Sequence, residues 1–169
     1  MPLVTSTSRF VLNGRNSDVT MADFVEWYYS DTTAPAVRSV LAEYIVVSAI
    51  GAVGSNTPRH IHLHSESIIH YRGYRLTVES AAYLESADPA HPTHISFKLH
   101  TQRSDVCIFC VFNGTNADDS LLNLDLWDFY VTPSDILNGR KVITLPKLIS
   151  FSPIMCNYSG IENAVLSVV

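Results

Sequence analysis

One stretch limits the possible folds more than any other: "VCIFCVF", Val106 to Phe112, seven apolar residues with no polar position among them. Successive side chains of a strand point to opposite faces, so a strand with this run must be covered twice. That is the signature of an interior strand in a layered sheet. Cys107 and Cys110 lie three apart and would then face opposite ways, which argues against a CxxC redox or zinc turn. With Cys156 they make an odd number of cysteines. Buried, reduced thiols in a reducing compartment are the better reading.

A chain of 169 residues can build one domain with a sizeable core and is short for two. Hydrophobic residues make up 47% of it and charged residues 16%, the balance of a packed globule. Eleven Lys and Arg stand against sixteen carboxylates, for a net charge of −5. Phosphate neutralisation needs cations in excess, so broad binding to duplex DNA is expected to be weak or absent. The N-terminal "MPLVTSTSRFVLNG" lacks the basic start and apolar core of a signal peptide. No apolar run approaches the ~20 residues of a membrane span, so a cytoplasmic protein without membrane contact is expected.

Periodicity then divides the chain. "ADFVEWYYS" reads as a short aromatic helix capped by Asp18 or Thr20. A second helix runs through "APAVRSVLAEYIVVSAIG", with Thr33 as cap, Pro35 in the first turn and Gly51 as stop. "RHIHLHSESIIHYRGYRLTVESAAYL" reads as two antiparallel strands turning at Arg72-Gly73, and "ESADPAHPT" as a loop. Strands follow at "HISFKLH", "VCIFCVF" and "LWDFYVT", then a short helix and turn in "SDILNGRKVITLPKLISFSP". The expected fold is α/β (α+β), one domain over 1–169, with a central mixed sheet flanked by helices.

The order "RSVLAEYIVVSAIGA", a strand pair ending in "LTVESAAYLES", "DVCIFCVF", "LDLWDFYVTPSDIL" and "KVITLPKLISFSP" resembles a prokaryotic branch of the restriction-endonuclease-like PD-(D/E)XK nucleases, across roughly residues 22–153. In active members of that branch the motif strand reads Ile-Glu-Val-Lys-Ser, a small residue, then Ala-Tyr-Leu. The same frame here reads Leu76-Thr77-Val78-Glu79-Ser80-Ala81-Ala82-Tyr83-Leu84. The resemblance thus places Thr77 at the metal-binding Glu position and Glu79 at the Lys position. Counting back from Gly73, the first catalytic Asp falls on Ser67, or on Glu66 with a one-residue shift, while the helix Glu is retained as Glu43.

Phosphodiester hydrolysis needs carboxylate oxygens to hold Mg²⁺ and a cation to stabilise charge on the phosphate. Thr77 and Ser67 supply neutral hydroxyls, and Glu79 reverses the sign of the lysine's contribution. No catalytic residue, cofactor or metal is therefore expected at these degenerate positions. Read without the resemblance, Thr77 is an ordinary strand former and Glu79 a solvated edge residue. An alternative retains chemistry: Glu43, Glu79 and Lys98 could assemble a migrated, Mg-dependent endonuclease site, although Lys98 reads equally as an exposed strand charge. A weaker alternative is a metal at His60, His62 and His64, which alternate on a presumed strand with Glu66 and His70 in the same parity. A half-exposed polar face is the commoner use of such a pattern.

Binding is the occupation left to a disarmed nuclease frame. The resemblance implies a place in prokaryotic or viral defence and counter-defence, as inhibitor, immunity partner or non-catalytic subunit. The acidic balance favours a protein partner with a basic surface. The remaining alternative is a DNA-binding pseudo-nuclease.

Overall fold

The computed structural model describes residues 5–30, 34–53, 68–83, 94–99, 104–116, 119–137 and 139–169. The chain divides into two compact units, Met1–Val37 and Arg38–Val169.

The first unit opens with an antiparallel hairpin, β1 (Arg9–Leu12) and β2 (Arg15–Thr20), whose register shifts between Arg9 and Val11. Asn13 and Gly14 turn it with φ of 51° and 74°, the paired left-handed conformation that a two-residue hairpin loop requires and that Asn-Gly supplies. Sequence reasoning assigned no element here. Helix α1 (Met21–Tyr28) follows directly, capped by Thr20, one of the two candidate caps. The Asp23 amide donates to Thr20 Oγ1 at 3.3 Å and the Thr20 amide donates to Asp23 Oδ2 at 2.6 Å, a reciprocal capping box. None of the described residues of this unit is buried.

Helix α2 (Pro35–Ala49) leads into the second unit and ends before Gly51, whose φ is +66°. Next come β3 (Ile69–Tyr71) and β4 (Tyr74–Ala82), antiparallel about the expected turn, with Arg72 and Gly73 at φ of 48° and 88°. After β5 (Ser96–Lys98) the chain enters β6 (Val106–Phe112), then β7 (Trp127–Pro133). The closing region holds a 3-10 turn at Ser134–Leu137, then β8 (Val142–Thr144), α3 (Leu145–Ile149), β9 (Ile154–Cys156) and α4 (Ile161–Ser167). Strands β8 and β9 and helix α4 lie where sequence reasoning saw a helix and turn, or nothing.

The central sheet runs β3-β4-β6-β7-β9. β4 and β6 are parallel and the remaining pairs antiparallel, which makes the sheet mixed. β6 is its middle strand and all seven of its residues are buried, as an unbroken apolar run demands. Its alternation feeds two cores. Val106, Ile108, Cys110 and Phe112 pack with Ala42, Ile45 and Val46 of α2 and with Ile161, Ala164 and Val165 of α4. Cys107, Phe109 and Val111 pack with Phe97 of β5, Ile143 of β8 and Leu145 and Leu148 of α3. β5 and β8 form a separate two-stranded ladder over that second face. All three cysteines are free thiols, and Cys107 and Cys110 fall in opposite cores.

Candidate functional site

Strand β4 carries the residues that the sequence singles out, and its alternation sorts them. Leu76, Val78 and Ala82 pack on the α2 side, and Ser80 meets Ser39 of α2 with Oγ atoms 3.3 Å apart. Thr77 and Ala81 serve the other side, and the same parity places Glu79 with them.

Thr77 is 8% exposed. Its hydroxyl shares hydrogen bonds with Ser104 Oγ at 3.1 Å and Cys107 Sγ at 3.2 Å. Ser134, which opens the 3-10 turn after β7, closes the cluster at 2.8 Å from Ser104 Oγ and 3.3 Å from Cys107 Sγ. Three hydroxyls and a thiol from three consecutive places on the sheet thus satisfy one another. The parallel register that pairs Thr77 with Cys107 brings them together.

Beside the cluster, Arg75 grips Asp105 by a two-pronged ion pair. Its Nη2 donates to Oδ1 at 2.9 Å and its Nε to Oδ2 at 3.2 Å, while its backbone N–H donates to Oδ2 at 2.8 Å. The side-chain bond from Arg75, then the backbone bond, hold the Asp105 carboxyl below the usual carboxylate range, and the same pairing raises Arg75. The clamp ties the start of β4 to the residue before β6, which fixes the strand ends around Thr77 and Ser104.

Glu43 is half-buried on α2, one turn beyond Ser39 on the same stripe. Glu79 is also half-buried. Burial pushes the Cys110 thiol well up, and the negative charges of Glu79 and Glu43 add to that. Lys98 is exposed on β5 opposite Val142. Because α2 and β5 cover opposite faces of the sheet, Glu43 and Lys98 ride on elements the sheet separates. Ser67, Glu66, His60, His62 and His64 lie outside the described residues; His70 is described and exposed on β3.

Of the described positions that the resemblance singles out, Thr77 is the one that lacks a carboxylate for a divalent cation of the Mg²⁺ type, while Glu43 and Glu79 each carry one. Such an ion selects anionic oxygens, and Thr77 offers a neutral hydroxyl already shared with a serine and a thiol. Among the described residues no group of three or more His, Cys, Asp or Glu side chains converges. No described helix is long and apolar enough to cross a membrane. Sequence reasoning missed Ser104 and Ser134 and the Arg75–Asp105 clamp, since no local pattern marks partners about thirty positions apart. Comparison with family models, with curated proteins and with solved structures finds no match.

Proposed function

We propose that this chain works by binding a protein partner, through a nuclease-like strand frame whose metal-holding position has become part of a neutral hydrogen-bonded cluster. The observation that carries this reading is Thr77: where the resembled motif strand holds a metal-binding carboxylate, a buried hydroxyl is engaged with Ser104 and Cys107. A carboxylate at that depth would cost several kcal/mol in desolvation without a cation beside it. Glu79, at the position of the resembled lysine, adds negative charge where a phosphate would need positive. The excess of carboxylates over Lys and Arg supports a basic protein surface as target over duplex DNA. The setting that the resemblance implies, an inhibitor or non-catalytic subunit in prokaryotic or viral defence, belongs to this proposal.

The test is cleavage. Purified protein incubated with supercoiled plasmid, linear DNA and RNA in Mg²⁺ or Mn²⁺ is expected to leave all three intact, with Glu79→Ala indistinguishable from the parent. Robust metal-dependent cleavage that disappears in Glu79→Ala would overturn the reading in favour of a migrated site.

A further inference from the structure

Within its own unit, helix α1 leaves a continuous aromatic stripe uncovered. Phe24, Trp27 and Tyr28 fall at i, i+3 and i+4, one face of a helix. They are 39%, 74% and 51% exposed. Their rings touch: Phe24 stacks on Tyr28 with centroids 5.8 Å apart and meets Trp27 at 6.4 Å. Large rings gathered on one exposed face are the composition of a binding anchor and are unfavourable in water.

The helix carrying them is already built. The Thr20–Asp23 capping box closes its N-terminus, and the Met21 and Ala22 amides donate to the Ser8 and Ser6 carbonyls at 2.8 and 3.0 Å. A preformed helix loses little further conformational entropy on docking. The charges on the helix itself have one sign, since Met21–Tyr28 contains Asp23 and Glu26 and no Lys or Arg, and Arg9 of β1 is a cation that acts on Asp23 from outside it. The hydrogen bonds from the Thr20 side chain and backbone hold Asp23 ionised, below the usual carboxylate range.

We propose that α1 is a docking helix that seats Phe24, Trp27 and Tyr28 in an apolar groove, rimmed by Lys or Arg, on a partner protein. The mode is an amphipathic helix laid in a groove by i, i+3 and i+4 anchors. The two carboxylates choose among occupants. Anionic lipid and nucleic acid would repel them, and a second copy would bring its own Asp23 and Glu26 against them. A groove with basic edges complements rings and charges together. This inference rests on the reading that the chain binds a basic protein surface, and it names the part of the chain that does so.

Acrylamide quenching comes first. Trp127 is 1% exposed, so the full chain should show one quenchable tryptophan that Trp27→Phe removes; a shielded Trp27 would mean that the chain covers its own stripe and would overturn the proposal. A photo-crosslinking amino acid is then placed at position 27 of the full chain in its native cells, with one at Val142 as control. The protein joined at position 27 is identified, purified and titrated against the chain. Phe24→Ala and Trp27→Ala should each weaken binding about tenfold or more. Glu26→Lys should weaken it too, and binding should fall as salt rises. These are exposed positions, so circular dichroism and thermal melting should match the parent. No adduct beyond the control, or an adduct with a second copy, lipid or nucleic acid, overturns the docking helix. If an identified partner binds with an affinity indifferent to Trp27→Ala, the docking helix falls while the protein-binding reading stands. Nucleic-acid cleavage would remove the binding reading and leave the titration of α1 to be judged by itself.

Discussion

Two strands of this chain treat apolar residues in opposite ways. β6 buries all seven of its residues, whereas β1 leaves Phe10, Val11 and Leu12 at 50%, 66% and 69% exposure. β6 has a partner on each edge and a core on each face; among the described residues β1 pairs with β2 alone. A two-stranded ribbon is marginal in water, so the first unit depends on its Asn13-Gly14 turn and its helix cap. The second unit depends on burial between residues far apart in sequence. One holds its shape locally and the other globally.

The sharpest way to break that contrast is to delete a ring from each strand. Phe109 is fully buried and packs edge-on against Phe97, with centroids 4.9 Å apart. Phe109→Ala is expected to cost about 3–5 kcal/mol in urea unfolding, from lost transfer energy plus the cavity left behind. Phe10→Ala should stay within about 0.5 kcal/mol, as exposed substitutions do. A comparable loss at Phe10 would show that the hairpin has a core after all.

A smaller effect separates two glycines. A Cβ on Gly114 would sit 2.4 Å from two atoms of the Phe112 ring and 2.7 Å from Asp119 Cβ. Phe112 is fully buried in the α2 core, so it has no free direction in which to yield. Gly114→Ala should therefore cost about 1–3 kcal/mol in global unfolding, as overpacking does. Gly14 has open space around it but a φ of +74°, so Gly14→Ala imposes left-handed strain of about 1–2 kcal/mol. That strain should appear as lost amide protection in β1 and β2 while the unfolding midpoint of the sheet stays put. A shift of the midpoint would mean that the two units unfold as one.

The same division governs what the sequence makes legible. β6 could be read at once because its signal is composition, and α1 because a short aromatic run follows two candidate caps, Asp18 and Thr20. The Arg72-Gly73 turn was legible for the same reason. The β1–β2 hairpin carries an equally local Asn-Gly signal, but β2 reads "RNSDVT", too polar to show the alternation expected of a half-buried strand. β8 and β9 span three residues each, too few for a period. The cluster about Thr77 lies furthest from view. Its members meet only because β4 runs parallel to β6, a pairing that no window of sequence encodes. The sequence could say that position 77 lacks a carboxylate; it could not say that serines and a thiol close around the hydroxyl.

The smallest expected effect is electrostatic, and it sets one carboxylate of each unit against the other. Asp23 is held below the usual range by the Thr20 side chain and backbone, and Asp105 by Arg75 in the same manner. A carboxylate whose folded pKa is depressed contributes stability above its unfolded pKa, and that contribution is lost as pH falls through the folded value. Both units should therefore weaken in acid, below the ordinary carboxylate range of about 4. The Arg75 and Asp105 side chains are 42% and 36% exposed, so water screens the pair and its share is modest. What distinguishes the two sites is reach. Asp23 supports one turn of α1, so Asp23→Asn should flatten the acid loss of α1 amide protection and leave that of β6 unchanged. Asp105 joins the start of β4 to the entry of β6, so Asp105→Asn should lower the melting temperature slightly at neutral pH and flatten its fall in acid, without touching α1. Amide-resolved hydrogen exchange across the acid range reads both at once. If Asp23→Asn altered protection in β6, the local and global halves of this chain would be coupled, and the contrast between its two strands would have to be redrawn.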